Sequence, residues 1–471
     1  MSTAADALRM ANDPAAFFVN SGRAAQHLPA PELERLQLSA MQQRFDALHR
    51  RLPVLRVMAQ EQNIEGIDSV DAVAPLLFPH TVYKSYPISL LENDRFDRLT
   101  QWLGRLTTCD LSAVQVSHCD GIDSWLEILD RETPIRVAHS SGTTGTMSFL
   151  PRARSEFETF FRTQHMGVFE FIDPSGSRDH TGEHFDVVWP TYTQGRSGTG
   201  RAVEFFREHL AGAPQRFHPL IEGRMSADVM FLAGRLRLAA ARGELDKVKV
   251  SPKLRARRAE LEETQRASRH ALERLFEEVI LKLAGKKVFL IGQMTTIHEI
   301  AGAARARGMR DVFSAGSVVQ TGGGAKGIVL PPDWEEEVRS FAGVQRIAFN
   351  YGMTELNMVA YICEHGRYHI PPWVVLFLLD PDRGSPLPRA GVQTGRAAYF
   401  DLIPQTYWGG FVSGDEVTVD WTPCACGRTT PHISRRIERY SQKRGGDDKI
   451  SCAATEEAHQ AALEHLTGHL A

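Results

Sequence analysis

A segment rich in glycine and hydroxyl groups, S-S-G-T-T-G (140–145), is of a kind that can bind phosphate. It follows a predicted strand, IRVAH (135–139), and precedes a predicted helix over 154–171. A loop in this position presents backbone N–H groups and hydroxyls to an anion. No Gly-Lys-Ser/Thr follows, so this is not a Walker-type loop. The segment predicts a phosphate-binding loop, and a flexible surface turn is the alternative.

Three further segments could complete a nucleotide site. Y-G-M-T-E (351–355) follows the predicted strand QRIAFN and offers a ring for a base, a hydroxyl for phosphate and a carboxylate for Mg²⁺. S-G-D (413–415) places a carboxylate where it can accept hydrogen bonds from ribose hydroxyls. T-G-G-G-A-K-G (321–327) has three glycines that let a flat ring approach the backbone. Each segment alone also fits an ordinary turn, so the order of the four carries the prediction.

A group of cysteines and histidines has the chemistry of a metal site. Cys363, His365 and His369 follow Y-G-M-T-E, and Cys424 and Cys426 lie about 55 residues further on. Three thiolates and one imidazole form a tetrahedral set suited to zinc. The predicted ligands are Cys363, His369, Cys424 and Cys426. His369 is preferred to His365 because it begins a strand-like segment. With four protein ligands the ion would be structural, and buried cysteines without a metal are the alternative.

Alternating strands and helices must hold these segments. The alternation in the middle of the chain, with glycines at strand ends, predicts an α/β sheet. A charged helix is predicted over about 253–284, ending at Gly285. The predicted divisions are a helical N-terminal part (1–130), a nucleotide-binding α/β core (131–375), a β-rich subdomain (376–440) and a hinge-like segment (441–471).

Composition excludes several classes of protein. The formal net charge of -3 gives no general attraction to nucleic acid or to a membrane surface, and neither is expected as a partner. No stretch approaches the roughly 18 apolar residues that a transmembrane helix needs. The N-terminus lacks the pattern of a signal peptide, so we expect a cytoplasmic protein. Six cysteines in 471 residues do not suggest a disulfide framework.

In this order the motifs resemble the core motifs of the adenylate-forming superfamily, which includes acyl-CoA synthetases, luciferases and peptide-synthetase adenylation domains. The closest branch looks like the phenylacetate–CoA ligase group and the luminescence acyl-protein synthetases. SGTTG continues into SFLPR, and CACGRTTPHI is similar to a segment of the phenylacetate ligases, which carry a comparable Cys/His cluster. The resemblance implies an α/β fold: a large domain of mixed sheets flanked by helices, a β-rich subdomain and a truncated C-terminal small domain.

The resemblance also implies a reaction, in which a carboxylate attacks the α-phosphorus of ATP and pyrophosphate leaves. Positioning and positive charge would supply most of the catalysis. The implied catalytic residues are Thr354, contacting the α-phosphate, and Glu355, holding Mg²⁺. The implied nucleotide-binding residues are Ser140, Ser141, Gly142, Thr143, Thr144 and Gly145 around the β- and γ-phosphates, Gly323, Gly324 and Ala325 along the adenine and acyl pockets, Tyr351 on adenine and Asp415 on ribose.

Two departures from the family pattern affect this reading. Thr146, Met147 and Ser148 stand where the loop usually continues to a lysine, and Arg152 or Arg154 is predicted to replace it. The chain stops soon after its hinge-like segment, so the usual C-terminal catalytic lysine is expected to be missing. Candidate replacements are Lys443 and Lys449.

The identity of the acyl acceptor is left open by the second departure. CoA, an amine, a carrier protein and Cys452 of this chain are the possible acceptors of an aryl or fatty acyl group. A non-catalytic nucleotide-binding scaffold or regulatory protein is the alternative function. G-R-S-G-T-G (195–200) is interpreted as a surface turn, and His139 as a packed or capping residue.

Overall fold

The computed structural model describes residues 3–140, 146–180, 182–244, 273–322 and 329–440, together with positions 259, 262, 263, 266, 270 and 271. Within these ranges the α-helices are α1 (Ala4–Asn12), α2 (Pro14–Phe17), α3 (Gly22–Gln26), α4 (Ala30–Leu48), α5 (Pro53–Glu61), α6 (Ser89–Glu92), α7 (Phe96–Gly104), α8 (Ile122–Glu132), α9 (Arg154–Ile172), α10 (Gly198–Phe205), α11 (Ala227–Arg242), α12 (Met294–Ala306) and α13 (Trp334–Ala342). Short 3₁₀ turns cover Asp71–Leu76, Val82–Lys84, Pro214–Arg216 and Leu281–Leu283, and π-helical turns cover Phe206–Ala211 and Leu275–Ile280.

Three sheets contain the strands of the described residues. The strands are β1 (Phe78–Pro79), β2 (Ile135–His139), β3 (Phe149–Ala153), β4 (Asp186–Gln194), β5 (Phe217–Arg224), β6 (Val288–Gly292), β7 (Val318–Gly322), β8 (Ala348–Tyr351), β9 (Ala360–Tyr361), β10 (Arg367–His369), β11 (Val374–Leu379), β12 (Val392–Asp401), β13 (Gly410–Asp420) and β14 (His432–Arg439). The sheet orders are β5-β4-β6-β7-β8-β9, β10-β14-β13-β12-β11 with β1 beside β13, and the hairpin β2-β3.

The first sheet is parallel from β5 to β8, and β9 joins it in the antiparallel direction. Its central strand β6 has the continuous apolar run that a strand covered on both faces needs, with Val288, Phe289 and Leu290 all at most 1% exposed. Helix α12 crosses from β6 to β7, and α13 crosses from β7 to β8. Parallel pairing brings the carboxyl ends of β4, β6, β7 and β8 to one edge, where ligands of α/β sheets usually bind.

The second sheet is antiparallel except at one point. Along the end of β13, buried and half-buried residues alternate, as expected for a strand with one face on the core. The exception is β1, whose Phe78 and Pro79 pair in the parallel direction with Phe411 and Val412 of β13. A segment more than 300 residues away along the chain is thereby tied to the strand that carries Asp415.

Helices α8 and α11 cap each other. The Asp228 carboxylate accepts hydrogen bonds from the backbone N–H groups of Ile122 (2.7 Å) and Asp123 (3.1 Å) at the start of α8. The Asp123 carboxylate accepts from the Ala227 N–H (3.0 Å) and the Ser226 hydroxyl (2.5 Å) at the start of α11. Each carboxylate thus satisfies donors that the other helix leaves unpaired, and it lies at the positive end of that helix.

The predicted α/β fold class is confirmed. The predicted strands IRVAH, KVFLIG and QRIAFN correspond to β2, β6 and β8, and the helices predicted over 154–171 and near 333–341 correspond to α9 and α13. Most of the charged helix predicted over 253–284 lies outside the described residues, while its last turns, 275–283, are helical. None of the helices within the described ranges has the length and apolar content needed to cross a bilayer.

Candidate nucleotide cleft and metal site

The hairpin β2–β3 holds both ends of the predicted phosphate loop. Ile135 pairs with Ala153 and His139 with Phe149, so the hairpin encloses residues 140–148. The Ser140 N–H donates to the Ser148 carbonyl oxygen (3.1 Å), and the Ser148 N–H donates to the Ser140 hydroxyl oxygen (2.9 Å). Of the six predicted loop residues, Ser140 is described, and Ser141, Gly142, Thr143, Thr144 and Gly145 lie outside the described residues.

His139, the last residue of β2, is buried beneath the loop. It is 1% exposed, and its Nδ1 lies 3.0 Å from the Ser140 carbonyl oxygen. Burial lowers the pKa of His139 to about 4, so the ring is neutral near pH 7. The interpretation of His139 as a packed residue is confirmed.

Tyr351, at the end of β8, connects the two large sheets. Its hydroxyl donates to Oδ2 of Asp415 on β13 (2.9 Å), and it accepts a hydrogen bond from the Tyr399 hydroxyl (2.9 Å). Burial raises the pKa of Tyr351 well above its usual value, and the nearby Asp415 carboxylate acts in the same direction. Tyr351 is 7% exposed, so little of its ring is open to solvent.

Asp415 lies between Tyr351 and Arg439. Burial raises the pKa of its carboxyl, and the positive charge of Arg439, with Nε 3.5 Å from Oδ1, opposes that shift. Arg439 is opposite Asp415 in the register of β13 and β14. The two predicted residues Tyr351 and Asp415 are therefore in direct contact, although they lie on different sheets.

Glu355 is a half-buried carboxylate that makes no hydrogen bond or ion pair with any other described residue. Burial raises its pKa, while the positive charges of Arg152, Lys84 and Arg439 lower it. The Arg439 guanidinium is thus near both predicted carboxylates, Glu355 and Asp415. Since no side chain of the described part of the chain pairs with Glu355, its carboxylate is available to a cation.

Arg152 binds the backbone of the turn that carries Thr354 and Glu355. Its Nη2 donates to the Thr354 carbonyl oxygen (2.6 Å) and its Nε to the Tyr407 hydroxyl (3.2 Å). It is 2% exposed, and its guanidinium lies over the Phe157 and Phe160 rings. These contacts give Arg152 a structural role in this turn, and its role as a replacement for the loop lysine stays a prediction.

Arg154, the other proposed replacement, is the first residue of α9 and is exposed. Neither arginine makes a contact in the described residues that would support a role with phosphate.

The segment G-R-S-G-T-G (195–200) lies next to Thr354, and the sequence did not predict this contact. The segment is mostly half-buried rather than a free surface turn, and it forms the start of α10, where the Ser197 hydroxyl caps the Gly200 N–H (3.1 Å). A Cβ at Gly198 would lie 3.8 Å from the Thr354 side chain, so the start of α10 adjoins that residue. The segment directly follows the parallel strand β4, and this position is the feature that could have indicated a place near a ligand site.

The four predicted zinc ligands converge. Their ligand atoms all lie within 4.8 Å of one another, and three of the four residues are buried. Zn–S bonds of about 2.3 Å in a tetrahedron place sulfur atoms roughly 3.8 Å apart. The donor set and its spacing therefore fit a tetrahedral ion after a small contraction. His365, the alternative that was set aside, is exposed and lies outside the group.

Two similar turns present the cysteines. The Gly366 N–H donates to the Cys363 carbonyl oxygen (3.0 Å), and the Gly427 N–H donates to the Cys424 carbonyl oxygen (2.9 Å). Both glycines have positive φ, +71° and +85°, which a residue with a side chain rarely adopts. C-E-H-G-R and C-A-C-G-R thus form matching turns that face each other across the site.

Burial favours the uncharged forms of His369 and Cys424 in this cluster. Burial lowers the pKa of His369 to about 3, so its ring is neutral, which is the metal-binding form. Burial raises the pKa of the Cys424 thiol to about 12, so the thiolate form needs a nearby positive charge. His369 Nε2 lies 3.3 Å from Cys426 Sγ, and Nδ1 lies 3.4 Å from the Thr430 hydroxyl, which can orient the ring.

No family model and no curated protein matches this chain. Among solved structures, an open conformation of 2-hydroxyisobutyryl-CoA ligase, in complex with 2-HIB-AMP and CoA, matches 89% of this chain and 77% of its own length (13% identity, TM-score 0.52). The same ligase in its thioesterification state matches 88% of this chain and 70% of its own length (14% identity, TM-score 0.52). The chain has the same overall fold as these ligase structures.

The remaining predicted residues lie outside the described ones. They are Gly323, Gly324, Ala325, Lys443, Lys449 and Cys452. Of the segment T-G-G-G-A-K-G (321–327), the structure describes Thr321 and Gly322 at the end of β7. Gly322 allows the close approach of β8, because a Cβ there would lie 1.8 Å from Asn350 Oδ1.

Proposed function

We propose that the chain activates a carboxylic acid with ATP, forming an acyl-AMP and releasing pyrophosphate. The hydrogen bond between Tyr351 and Asp415 carries the proposal, because it brings the turn with Thr354 and Glu355 to the strand of the proposed ribose ligand. Four side chains that could bind base, α-phosphate, metal and ribose are then grouped at the meeting of two sheets. The adenylate-forming fold supports the same reaction.

Each side chain has a role that its surroundings support. Asp415, kept near Arg439, accepts hydrogen bonds from ribose hydroxyls. Thr354 lies against the start of α10, whose positive dipole end favours an anion beside it. Thr354 thus binds the α-phosphate where the attacking carboxylate must also lie. The hairpin β2–β3 holds the two ends of the loop that is proposed to bind the β- and γ-phosphates.

Glu355 is the proposed ligand of Mg²⁺. Its carboxylate has no partner among the described residues, and oxygen donors of this kind suit that ion. When bound, Mg²⁺ would offset the negative charge of the phosphates. Arg152 fixes the Glu355 turn through the Thr354 carbonyl oxygen, and its charge favours the ionised form of Glu355.

CoA is the proposed acyl acceptor, since the neighbouring ligase is seen in complex with 2-HIB-AMP and CoA. An amine and a carrier protein are tested as alternatives in the same assay. We also propose that Cys363, His369, Cys424 and Cys426 hold a structural zinc ion. That ion would join β10 to the turn before β14.

Acid-dependent exchange of labelled pyrophosphate into ATP tests the reaction. Aryl, fatty and short hydroxylated acids are each added to the purified chain with Mg²⁺, and exchange above the acid-free rate is expected for at least one class. Stabilisation by ATP without exchange for any acid would replace the proposal with a non-catalytic nucleotide-binding protein. Addition of CoA, hydroxylamine or a carrier protein to the active mixture then identifies the acceptor.

A further inference from the structure

The turn at 354–357 is held at both of its ends by buried side chains. At its start, Arg152 Nη2 donates to the Thr354 carbonyl oxygen (2.6 Å). At its end, the Asn357 N–H donates to Oδ2 of Asp401 (2.6 Å). The proposed Mg²⁺ ligand lies between these two bonds, so its backbone has little freedom to rotate.

The Asp401 carboxylate accepts three N–H donors. Besides the Asn357 N–H, Oδ2 accepts from Asn357 Nδ2 (2.9 Å), and Oδ1 accepts from the Ile403 N–H (3.0 Å). Burial, with 1% of Asp401 exposed, raises the pKa of its carboxyl to about 6, so the group is mostly ionised near pH 7. Hydrogen bonds to an ionised carboxylate are stronger than those to a neutral group, and they hold the end of the turn firmly.

Asn357 and Tyr407 join the two ends of the turn to each other. The Tyr407 hydroxyl accepts from Asn357 Nδ2 (3.1 Å) and from Arg152 Nε (3.2 Å), and both Asn357 and Tyr407 are fully buried. A continuous chain of direct hydrogen bonds therefore runs from Asp401 to the Thr354 carbonyl oxygen. Through this chain, a change at Asp401 reaches both ends of the turn.

Asp401 also connects the two large sheets. It is the last residue of β12 in the antiparallel sheet, and its N–H donates to the Gly409 carbonyl oxygen (3.0 Å), whereas the turn follows β8 of the parallel sheet. Its bonds to Asn357 thus form a second link between the sheets, besides the one from Tyr351 to Asp415. Apolar packing could join the sheets as stably, but three donors on one carboxylate also fix the direction of the turn.

We propose that Asp401 is a positioning residue for adenylation, which sets the places of the Thr354 hydroxyl and the Glu355 carboxylate through its bonds to Asn357. This inference rests on the proposed function of the cleft. Asp401 acts through the turn and touches neither ATP nor the acid. It therefore governs the chemical step and the use of Mg²⁺, and it has little influence on binding of the nucleoside.

Asp401→Asn keeps the shape of the side chain and removes its charge and one acceptor. We expect kcat for pyrophosphate exchange to fall about 10- to 100-fold, with the KM for ATP within about threefold of wild type, because the reacting groups are misplaced rather than lost. The Mg²⁺ concentration for half-maximal exchange should rise about 10-fold or more, as is usual when a group that orients a metal ligand is changed. Thermal stabilisation by adenosine should stay unchanged.

Tyr407→Phe tests the same chain of hydrogen bonds with a smaller change. It removes the hydroxyl between Asn357 and Arg152 and should raise the Mg²⁺ requirement by roughly threefold to tenfold. Thr100→Val is the matched control. The buried Thr100 hydroxyl donates to the Phe96 carbonyl oxygen (2.8 Å) and accepts from Trp125 Nε1 (2.9 Å), so its loss should lower the melting temperature and leave kcat and the Mg²⁺ requirement unchanged.

The inference is overturned if folded Asp401→Asn has the Mg²⁺ requirement of the wild type, or if Thr100→Val raises that requirement equally. If Asp401→Asn does not fold, Tyr407→Phe decides, and a wild-type Mg²⁺ requirement in that variant is the contradicting result. A wild-type chain that binds ATP without exchange contradicts the proposed reaction alone, because the Mg²⁺ dependence of thermal stabilisation by ATP still tests Asp401. A wild-type chain that does not bind ATP contradicts both proposals.

Discussion

The nucleotide cleft and the Cys/His cluster both gather polar side chains from distant parts of the chain, but they treat those side chains differently. In the cleft, Glu355 has no partner among the described residues and remains half-buried. In the cluster, the four ligand atoms face one another within 4.8 Å. The cleft thus leaves Glu355 open to an exchangeable ligand, whereas the ligand atoms of the cluster face only one another. The comparison predicts that changes in the cleft alter activity, and that changes in the cluster alter stability.

Glu355→Ala should have the largest effect on activity. Losing the proposed Mg²⁺ ligand should lower the rate of pyrophosphate exchange about 100- to 1,000-fold. The melting temperature without ligands should change by less than about 2 °C, because the carboxylate has no partner to lose among the described residues. Glu355→Gln, which keeps the shape, should be similarly inactive. An Ala variant with near wild-type exchange would contradict the metal role and the comparison built on it.

Cys424→Ser should show the opposite pattern. Removing one of four ligands should reduce bound zinc from about one ion per chain to nearly none and destabilise the fold by about 3 kcal/mol or more. Metal analysis and thermal melts provide the measurements, and exchange below the lowered melting temperature should persist. Cys109→Ser, at a half-buried cysteine outside the cluster, serves as the control. Purified wild-type protein without zinc would remove the basis for the metal site.

His139 should make the cleft scaffold sensitive to acid. Its pKa is about 4 in the folded chain and about 6.5 when unfolded, so the unfolded state binds the extra proton first. Stability present above pH 6.5 is therefore lost as the pH falls toward 4, by about 3 kcal/mol from this residue.

His139→Asn tests this loss while keeping a donor for the Ser140 carbonyl oxygen. Urea unfolding at pH 7 and pH 4.5 should show a smaller difference than in the wild type. The exposed residue His365 provides the control His365→Asn. Equal pH differences in the wild type and His139→Asn would show that the imidazole does not carry the effect.

Tyr351→Phe should give the smallest change. It removes the hydroxyl that donates to Asp415, at a cost of about 1 kcal/mol, which corresponds to roughly a fivefold rise in the KM for ATP. Zinc content should not change, because the ring is not part of the cluster. If zinc content fell while the KM stayed constant, the cleft and the cluster would not be the separate units described above.

Local patterns predicted the scaffold well. IRVAH and KVFLIG became β2 and β6, because a short apolar run between turn residues favours a buried strand. The choice of His369 over His365 also agrees with the structure, because His369 belongs to β10 and so has a fixed direction.

Contacts between distant segments could not be predicted in the same way. Arg152 and Arg154 are two residues apart at the junction of β3 and α9, and only the packing against Phe157 and Phe160 shows that Arg152 points inward. G-R-S-G-T-G has the composition of any turn, and its approach to Thr354 depends on how the strands are ordered. The pairing between β1 and β13 likewise joins distant segments, and no local pattern indicates it.

The two-residue pairing of β1 with β13 has a mechanical consequence. Through it, the backbone that carries Lys84 is hydrogen-bonded to the same strand that carries Asp415. If the antiparallel sheet tilts against the parallel sheet, these two residues travel together, and Glu355, which follows β8, keeps its distance to them only as far as the Asn357–Asp401 hydrogen bonds hold.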